Sequence, residues 1–284
     1  MAQSKVNAFR QTVWRYYRTH GRYDLPWRKT HDLYKILVSE MMLQQTQVER
    51  VVPFYKNFIK KFPTVQKLAD APLSGVLKSW QGLGYNRRAK MLHQAAKEFP
   101  RFDLTSESSR SNLIPRLEAL PGVGPYTARA VAAFAYNDDV IFVETNIRTV
   151  VIHHFFNRNK NRNTIIYDSV SDSQIEAILR KVLPKGKSRE WYSALMDYGA
   201  YLKQSGVSHN AKSKTYAKQS KFAGSLREAR GTILRTLASK KSQQGGALLN
   251  VLGAERRAQM KKALDALVAE KLVNKKGKTF ALAD

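Results

Sequence analysis

The sequence of 284 residues contains no cysteine. Disulfide bonds, iron–sulfur clusters and cysteine-ligated zinc sites are therefore excluded from the chemistry of this chain. Histidine is also scarce, with six residues. No two of them are four residues apart, the spacing by which one helix face presents two imidazoles to a metal ion. We therefore expect no bound metal ion.

Long apolar runs are absent as well. No stretch reaches the roughly 18 apolar residues that a membrane-spanning helix needs. The N-terminal stretch MAQSKVNAFRQTVWRYY lacks the apolar core of a secretory signal peptide. We therefore expect no membrane partner, and a cytoplasmic location at the nucleoid if the chain is bacterial.

Acidic residues are few relative to basic ones. The chain has 22 Asp and Glu against 49 Lys and Arg, a formal net charge of +27. A surface this basic attracts polyanions, with nucleic acid as the leading candidate and an anionic membrane surface as the weaker one. Hydrophobic residues make up 43% of the chain. This is enough for one large domain, or for a large domain and a small one.

Alternating strand patterns are almost absent from residues 1–205, where apolar residues recur at helical spacing. Short segments with Pro, Gly or Asp separate the periodic stretches. This region is therefore predicted to be all-α. The predicted helices span residues 3–20, 31–46, 47–61, 65–71, 73–79, 84–99, 109–119, 125–136, 145–157, 172–182 and 188–204.

Residues 205–223 interrupt this pattern with a polar segment that contains lysines and no acidic residue. We interpret it as a basic linker, either a flexible tether or an arm that contacts phosphate.

Residues 224–284 predict three helices and a hairpin that turns at Lys276–Gly277, the pattern of a winged-helix module. Its third helix suits a DNA groove or backbone, while protein contact or capping of another domain stays open. The basic residues of that helix are Arg256, Arg257, Lys261 and Lys262.

The stretch LPGVGPYTA, residues 120–128, ends one predicted helix and starts another within a few residues. Gly122 and Gly124 permit backbone angles closed to other residues and leave no side chain in the way. Pro125 suits the first turn of the next helix. We expect a tight hairpin whose backbone N–H groups hold an anion such as a DNA phosphate. Because turns of this kind are common, the hairpin alone does not indicate DNA binding, and the neighbouring motifs are needed to interpret it.

This hairpin and four further stretches resemble, in order and spacing, the helix-hairpin-helix DNA glycosylases, and most closely the MutY-type adenine glycosylases. The pair SEMMLQQTQV and WQGLGY is specific to that type and separates it from endonuclease III. The resemblance covers about residues 3–204. The four stretches are LPWR at 25–28, SEMMLQQTQVERVVPFY at 39–55, WQGLGYNRRAKMLHQAA at 80–96 and WYSALMDYGA at 191–200.

The resemblance implies an all-α, two-lobed helix-hairpin-helix DNA glycosylase fold, here followed by a small C-terminal winged-helix-like module. Residues 1–30 plus 139–204 are expected to form a helical lobe that includes the N-terminal helix. Residues 31–138 are expected to form a six-helix barrel with the hairpin. The basic linker, 205–223, and the winged-helix-like module, 224–284, complete the chain.

Removing a base breaks an N-glycosidic bond. The leaving base needs a proton and the sugar becomes an oxocarbenium-like cation, so two carboxylates suit the task. The base must also be flipped out of the duplex.

Glu40 matches the family's general acid, which protonates adenine at N7, and its apolar surroundings in VSEMML predict a raised pKa. The alternative is an exposed glutamate on an amphipathic helix.

The second carboxylate departs from the family pattern. The family has Asp where IFVETNIRTVV places Glu144, whereas Asn146 agrees. Glu144 keeps the charge that stabilises or attacks the sugar cation, but it is one methylene longer, and position matters at this scale. Three interpretations of Glu144 stay open. The pocket of an ordinary glycosylase has adjusted to the longer side chain, or the enzyme acts on a different base. In the third, the chain has weak catalytic activity and acts mainly by binding lesions. Asp138 and Asp139 do not fit the motif register.

Tyr126 occupies the position where related bifunctional enzymes carry the lysine that forms a Schiff base. A tyrosine cannot form one, so the resemblance implies a monofunctional glycosylase without strong strand cleavage. The Tyr126 hydroxyl is expected near the flipped nucleotide, which makes Glu40, Glu144, Asn146 and Tyr126 the expected catalytic residues. Packing alone is the alternative for Tyr126.

The polar loop after the Glu40 helix is expected to enter the duplex. Its glutamine amides read base edges, and Tyr85 wedges between bases. A second tyrosine often follows GLG in the family, but this chain has Asn86 there. The expected DNA-binding residues are Gln44, Gln45, Thr46, Gln47, Tyr85, Arg87, Arg88, Gly122, Val123, Gly124 and Thr127.

Basic residues beside these loops are expected to meet phosphates. They are Arg87, Arg88 and Lys90, with a solvated basic face as the alternative. Trp27 and Arg28 of LPWR are expected to line the base pocket, although Trp27 could equally anchor the N-terminal segment.

Two parts of the family are missing. The cluster-binding cysteines that normally follow the MDYGA helix are absent, and so is the Nudix-like domain that helps MutY recognise 8-oxoguanine. We therefore expect no iron–sulfur cluster and no other cofactor, apart from the option of a monovalent cation at the hairpin. The expected partner is double-stranded DNA with a mismatch or lesion, bound by a monomer.

The sequence therefore predicts a monofunctional DNA glycosylase of base excision repair that excises adenine mispaired with 8-oxoguanine or guanine. One alternative is a glycosylase of the same fold that removes another base, such as mismatched thymine or another pyrimidine. The other is a non-catalytic protein that binds DNA lesions. Replacing Glu40 by Gln separates enzyme from binder, because only an enzyme loses turnover.

Overall fold

The computed structural model describes residues 1–99, 112–156, 169–207 and 221–284. Helices dominate these ranges, and none of the helices found there is long and apolar enough to cross a membrane. The elements in chain order are α1 (Gln3–His20), α2 (Leu33–Leu43), α3 (Val48–Lys61), α4 (Val65–Ala69), α5 (Leu73–Trp80), α6 (Arg87–Glu98), α7 (Leu113–Glu118), α8 (Pro125–Tyr136), α9 (Thr145–Val151), α10 (Asp172–Val182), α11 (Ser188–Gln204), α12 (Leu226–Ser239), β1 (Gln243–Gln244), α13 (Gly245–Leu249), α14 (Arg257–Ala269), β2 (Val273–Lys276) and β3 (Thr279–Leu282).

The chain forms two compact units. The first contains Met1–Ile36 and Gly124–Lys218, and the second contains Leu37–Val123 and Gln219–Asp284. This division differs from the expected one at residues 31–36 and at residues 124–138, which join the first unit. Residues 125–136 form α8, whose buried face packs on α11. The winged-helix-like region shares the second unit with the helices from residue 37 onward. Residues 208–220 of the expected basic linker lie outside the described residues.

The core of the first unit begins with an apolar stripe on α1. Val6, Phe9, Val13 and Tyr17 recur at helical spacing and are buried. The Phe9 ring meets Trp191 of α11 edge to face, with 5.9 Å between ring centres. α9 packs between α10 and α11, and most of its residues are buried. Packing therefore fixes the N-terminus of α9, where one of the two expected carboxylates lies.

The core of the second unit surrounds α2, which is apolar on almost every face and is buried accordingly. Phe58 of α3 and Trp80 of α5 are fully buried and meet edge to face, with 5.8 Å between ring centres. α6 packs on α4 and α5. These contacts position the loop that follows α2 and the GLGY loop that follows α5.

The C-terminal part of the second unit has the order helix, strand, two helices and hairpin, which confirms the winged-helix-like module. Its antiparallel sheet has the order β1–β3–β2, with Gln243 opposite Phe280 and Lys276 opposite Thr279. The hairpin turns at Gly277, which has φ +61°. β1 was not predicted, because two residues are too few to show alternation. α12 packs on α14 and also contacts α5.

The bounds of α1, α8, α10 and α11 agree with the sequence prediction to the residue. α2 is shorter than the predicted 31–46, and the chain turns at Gln45, which has φ +57°. α9 gives way after Val151 to a π-helical turn, Ile152–Phe156. Residue 157 and residues 109–111, predicted as parts of helices, lie outside the described residues.

Candidate functional site

Glu40 lies on α2 in the core of the second unit. Its exposed fraction is 5%, and the exposed fractions of Met41 and Met42 are 1% and 0%. Burial among such groups disfavours the charged form of a carboxyl. The exposed glutamate considered as the alternative is therefore excluded.

Glu144 caps the N-terminus of α9 in the first unit. Its Oε1 accepts hydrogen bonds from the backbone N–H groups of Asn146 and Ile147, at 2.6 and 2.8 Å. Its Oε2 accepts from Thr145 Oγ1 at 3.1 Å and from Asn146 Nδ2 at 3.3 Å. Unpaired N–H groups and the helix dipole stabilise an anion at such a position. Both oxygens are thus held in one orientation, and Asn146 contacts Glu144 as the motif suggested.

Gly199 of the MDYGA motif lets α11 approach α9 at this carboxylate. A Cβ atom at Gly199 would lie 2.4 Å from the backbone oxygen of Asn146, far inside van der Waals contact. Any larger residue would push α11 away from the first turn of α9. Gly199 therefore positions Asn146 and Glu144, a role that the sequence did not reveal.

The hairpin agrees with the prediction at Gly122 but not at Gly124. Gly122 has φ +79°, and a Cβ atom there would lie 2.8 Å from Cβ of Met91, so this position requires glycine. Gly124 has φ −89° and ψ 177°, which any residue adopts. The special conformation predicted for Gly124 is therefore wrong. A Cβ atom on Gly124 would meet nothing within 4 Å, which leaves room at Pro125, the first residue of α8.

Other residues of the hairpin are engaged in packing. The side chains of Val123 and Thr127 are buried, with exposed fractions of 5% and 3%. The Val123 N–H donates to the Leu120 oxygen at 3.1 Å, so it has a partner within the hairpin, and its contact with DNA stays a prediction. The Tyr126 ring meets Phe142 edge to face at 5.7 Å between centres. This packing contact accounts for the position of the Tyr126 ring, and the catalytic role of its hydroxyl stays a prediction.

A pocket of about 760 Å³ in the second unit is bordered by the loop after α2, the GLGY loop and α12. We call it the basic pocket. Gln44, Gln45, Thr46 and Gln47 all line it. Its lining has six arginines but one glutamate, together with amide side chains and the rings of two aromatic residues. Positive charge, amides and aromatic rings together suit a nucleotide.

Arg88 does not face phosphate, although the sequence predicted that it would. Its exposed fraction is 7%, and its Nη1 donates to the backbone oxygens of Met41 and Met42 at 2.9 and 3.0 Å and also to that of Gln44. Burial lowers the pKa of Arg88 to about 10. Arg88 thus caps the C-terminal end of α2 and fixes the polar loop. Its neighbour Arg87 is exposed and lines the basic pocket.

Tyr85 is held by arginines rather than projecting alone. It has φ +48°, and the guanidinium carbons of Arg88 and Arg227 lie 5.2 and 5.6 Å from its ring centre. Arg227 Nη1 donates to the Tyr85 hydroxyl at 3.1 Å. Arg227, Arg230 and Arg235 of α12 all line the basic pocket. Sequence reasoning missed these three, although SLREARGTILR shows the same basic excess as the rest of the chain.

Two further basic residues expected on DNA are engaged inside the second unit. Lys90 Nζ donates to the backbone oxygen of Glu270 at 2.6 Å, and Arg256 pairs with Glu228 at 2.8 Å. Both side chains thus have a partner inside the second unit, and their contact with DNA stays a prediction. The remaining basic residues expected on the third helix of the module are exposed: Arg257, Lys261 and Lys262.

Arg28 is likewise committed to an ion pair rather than to a base pocket. It pairs in bidentate fashion with Asp197 of α11, at 2.6 and 2.9 Å. Asp197 is 2% exposed. Burial alone would raise the pKa of Asp197, but the hydrogen bonds and charge of Arg28 and Arg22 lower it overall. The LPWR and MDYGA motifs thus form one structural ion pair. Trp27 is half-buried, and its place in a base pocket stays a prediction.

An iron–sulfur cluster does not fit this chain, because it has no cysteine thiolate to ligate iron. Across the parts of the chain that the structure describes, no group of three or more His, Asp or Glu residues could hold a metal ion.

Comparison with known proteins places the chain in a family. Residues 38–184 match the model of the HhH-GPD superfamily of base excision DNA repair proteins. The chain belongs to this superfamily as a MutY-type DNA glycosylase. It is 35% identical to the adenine DNA glycosylase of Mycolicibacterium smegmatis, over 93% of this chain and 92% of that protein. It is 32% identical to the adenine DNA glycosylase of Mycobacterium tuberculosis, over 92% and 88%.

A solved structure of a thermostable thymine-DNA glycosylase is also similar to this HhH-GPD member. The sequence identity is 28% and the TM-score 0.56, over 69% of this chain and 87% of that one. The expected helix-hairpin-helix glycosylase fold is thereby confirmed. The DNA N-glycosylase class of the enzyme is confirmed by the family and by the named relatives together.

Proposed function

We propose that this DNA glycosylase excises adenine mispaired with 8-oxoguanine or guanine and leaves the DNA strand intact. The observation that carries the proposal is its similarity to adenine DNA glycosylases along 93% of the chain. The buried carboxyl of Glu40 and the donor-held carboxylate of Glu144 supply the two groups that the chemistry needs.

Glu40 acts as the general acid. Its proton goes to N7 of adenine, and the electrons of the N-glycosidic bond leave with the base. The sugar becomes an oxocarbenium-like cation, which the negative charge of Glu144 stabilises until water adds to it and releases a proton to solvent. Asn146 holds Glu144 through its backbone N–H and its side-chain amide. Tyr126 offers no amine for a Schiff base, so strand cleavage is not expected.

The basic pocket supports recognition of the mispair. The glutamine loop presents amides, Tyr85 presents a ring, and α12 adds Arg227 and Arg235, whereas Arg230 is paired with Glu270. We propose that this surface grips double-stranded DNA around the mispair, with the C-terminal module taking part. The enzyme works as a monomer, and the side chains alone supply the chemistry, without a cluster or a metal ion.

A second candidate is release of mismatched thymine. The similarity to a structure named as a thymine-DNA glycosylase favours it, as does the departure from the family's Asp at Glu144. The adenine proposal is preferred because the adenine DNA glycosylases match with higher identity over more of this chain.

A base-release assay distinguishes these candidates. Purified protein in excess is mixed with end-labelled duplexes that contain A opposite 8-oxoguanine, A:G, T:G, U:G or undamaged pairs. Alkali then cuts each abasic site, and parallel samples without alkali report direct strand cleavage. Glu40→Gln is the control for contaminating enzymes.

Adenine release from the first two duplexes, dependent on alkali for strand cleavage and lost in Glu40→Gln, is the expected result. Release of thymine would keep the fold and the enzyme class, but it would replace the substrate and overturn the N7 protonation step, because thymine has no N7. Tight binding to every duplex without any release would overturn the proposal and make the chain a lesion-binding protein.

A further inference from the structure

Lys203 lies beside the Glu144 carboxylate, on the last turn of α11. Its Nζ donates to Thr145 Oγ1 at 3.0 Å. The same hydroxyl donates its one proton to Glu144 Oε2 at 3.1 Å. Lys203, Thr145 and Glu144 thus form a chain of two hydrogen bonds, in which the Thr145 hydroxyl accepts from the lysine and donates to the carboxylate.

The approach of α11 to α9 creates this contact. Gly199, four residues before Lys203, lies against the backbone of Asn146. Residues four apart lie on the same face of a helix, so Lys203 follows Gly199 on the face turned toward the first turn of α9. The amine therefore reaches Thr145 because of the same close approach that positions Glu144.

The charged group of Lys203 is partly buried and has the Glu144 carboxylate as its anionic neighbour. Burial is the largest influence and lowers the pKa of Lys203, the charge of Glu144 raises it, and that of Arg148 lowers it. Arg148 is itself held by Asp172 in a bidentate ion pair at 2.8 and 3.0 Å. Glu144 is thus the anion that compensates for partial burial of the Lys203 ammonium group.

We propose that Lys203 is a positioning residue for base excision, because it holds Glu144 through Thr145 in the orientation that faces the sugar cation. The proposal rests on the role given above to Glu144. A glutamate has one more rotatable bond than the Asp of the family pattern, so its carboxylate has more freedom to lose. The additional anchor through Thr145 restricts that freedom and keeps the longer side chain in place.

Three variants test this role with substrate bound in excess enzyme. Lys203→Met removes the ammonium group but keeps an unbranched side chain. It is expected to slow single-turnover base release by about tenfold, the size of a coupled interaction between neighbouring residues. DNA affinity should stay unchanged, because the defect lies in the chemical step. Lys203→Arg keeps a charged donor and should retain a rate within about threefold of the wild type, whereas Thr145→Val should match Lys203→Met.

A double-mutant cycle with Glu144→Gln provides the decisive control. In the Glu144→Gln background, Lys203→Met should cause no further loss of rate, because the group that it positions is gone. If Lys203→Met slows release equally in both backgrounds, or if Lys203→Arg is as slow as Lys203→Met, the proposal is overturned.

The same cycle measured on unfolding does not require activity. Chemical denaturation of the wild type, the two single variants and the double variant should show coupling of about fivefold or more in the unfolding equilibrium constant. Absence of coupling would overturn the Lys203–Glu144 interaction. A wild type that releases no base from any duplex while this coupling persists would instead contradict the proposed function.

Discussion

Glu40 and Glu144 have contrasting environments, each within its own compact unit. Glu40 is set on an apolar helix, 5% exposed, with fully buried methionines next to it. Glu144 lies at a helix N-terminus, only partly buried, with hydrogen-bond donors on both oxygens. Apolar burial favours a carboxyl that keeps its proton, whereas donors and a helix dipole favour the anion.

This difference is consistent with the opposite roles that we propose for these two glutamates in one reaction. One must deliver a proton to the leaving base, and the other must be negative when the sugar becomes positive. In the proposed mechanism, the environment and not the side-chain type distinguishes the two roles. For the proposed role the first requirement of Glu144 is a held negative charge, which the longer side chain can also supply.

Replacing Glu40 by Gln is expected to have the largest effect. An amide of the same shape cannot donate the proton, so single-turnover base release should fall by about 10²- to 10⁴-fold, with DNA affinity unchanged. Filter binding and quenched single-turnover assays measure the two quantities. Glu176→Gln, at a partly exposed pair with Arg180, is the matched control and should leave both unchanged. If Glu40→Gln released base at a rate within threefold of the wild type, Glu40 would not be the proton donor and the contrast with Glu144 would fail.

Replacing Glu144 tests the other half of the comparison. Glu144→Gln removes the charge and should slow release by about 10²-fold, as expected for loss of transition-state electrostatic stabilisation. Glu144→Asp keeps the charge but retracts it from Thr145, so an intermediate loss of about tenfold is expected. The rates are measured under the same single-turnover conditions. Equal rates for Glu144→Gln and the wild type would show that this carboxylate serves only as a helix cap.

A change at Gly199 should disturb the Glu144 region and leave Glu40 intact. Gly199→Ala places a methyl group against the Asn146 backbone and should lower the free energy of unfolding by about 2 kcal/mol, with a slower release rate. Gly75→Ala, in α5, is the matched control, because its nearest neighbour, Pro72, would lie at an ordinary 3.6 Å. Denaturant titration should show Gly75→Ala as stable as the wild type or more so. Equal stability of the two variants would contradict the close approach.

Acid should weaken the unit that carries Glu144 through its half-buried histidines. Burial first, then the charges of His153 and Lys5, lowers the pKa of His154 to about 4. The unfolded chain, with a pKa near 6.5, therefore binds more protons below pH 6.5, and stability falls as the pH drops. Between pH 7.5 and 5.5 the loss should be about 1 kcal/mol after allowance for solvent screening.

Thermal unfolding at the two pH values measures this loss, and His154→Gln is the variant that should reduce it. A glutamine can still hydrogen-bond to the Tyr198 hydroxyl, which lies 3.1 Å from His154 Nε2. If the wild type and His154→Gln lose the same stability, His154 is not the group that titrates.

Local signals explain why most helices could be predicted from the sequence. α10 starts where Ser171 and Gln174 form a capping box, and α8 starts at Pro125 after Gly124. Such signals act within a few residues and are visible in the sequence. The winged-helix-like module was predicted on the same basis, from amphipathic periodicity and a turn glycine.

The partners of the arginines could not be predicted in the same way. Arg87 and Arg88 are adjacent and look alike in the sequence, yet one is exposed and the other is buried against the end of α2. Arg28 meets Asp197 across 169 residues of chain. Tertiary packing alone decides such pairings. The sequence therefore assigned Arg88 to phosphate and Arg28 to the base pocket, whereas the structure pairs Arg88 with backbone carbonyls and Arg28 with a carboxylate.

The most direct test of the central claim is single-turnover release from a duplex in which 7-deazaadenine replaces adenine opposite 8-oxoguanine. A C–H group replaces N7, so Glu40 has no atom to protonate. The wild type should bind this duplex as tightly as the adenine duplex and release no base, and Glu40→Gln should behave identically. Release of 7-deazaadenine at a rate close to that of adenine would contradict protonation of the leaving base by Glu40.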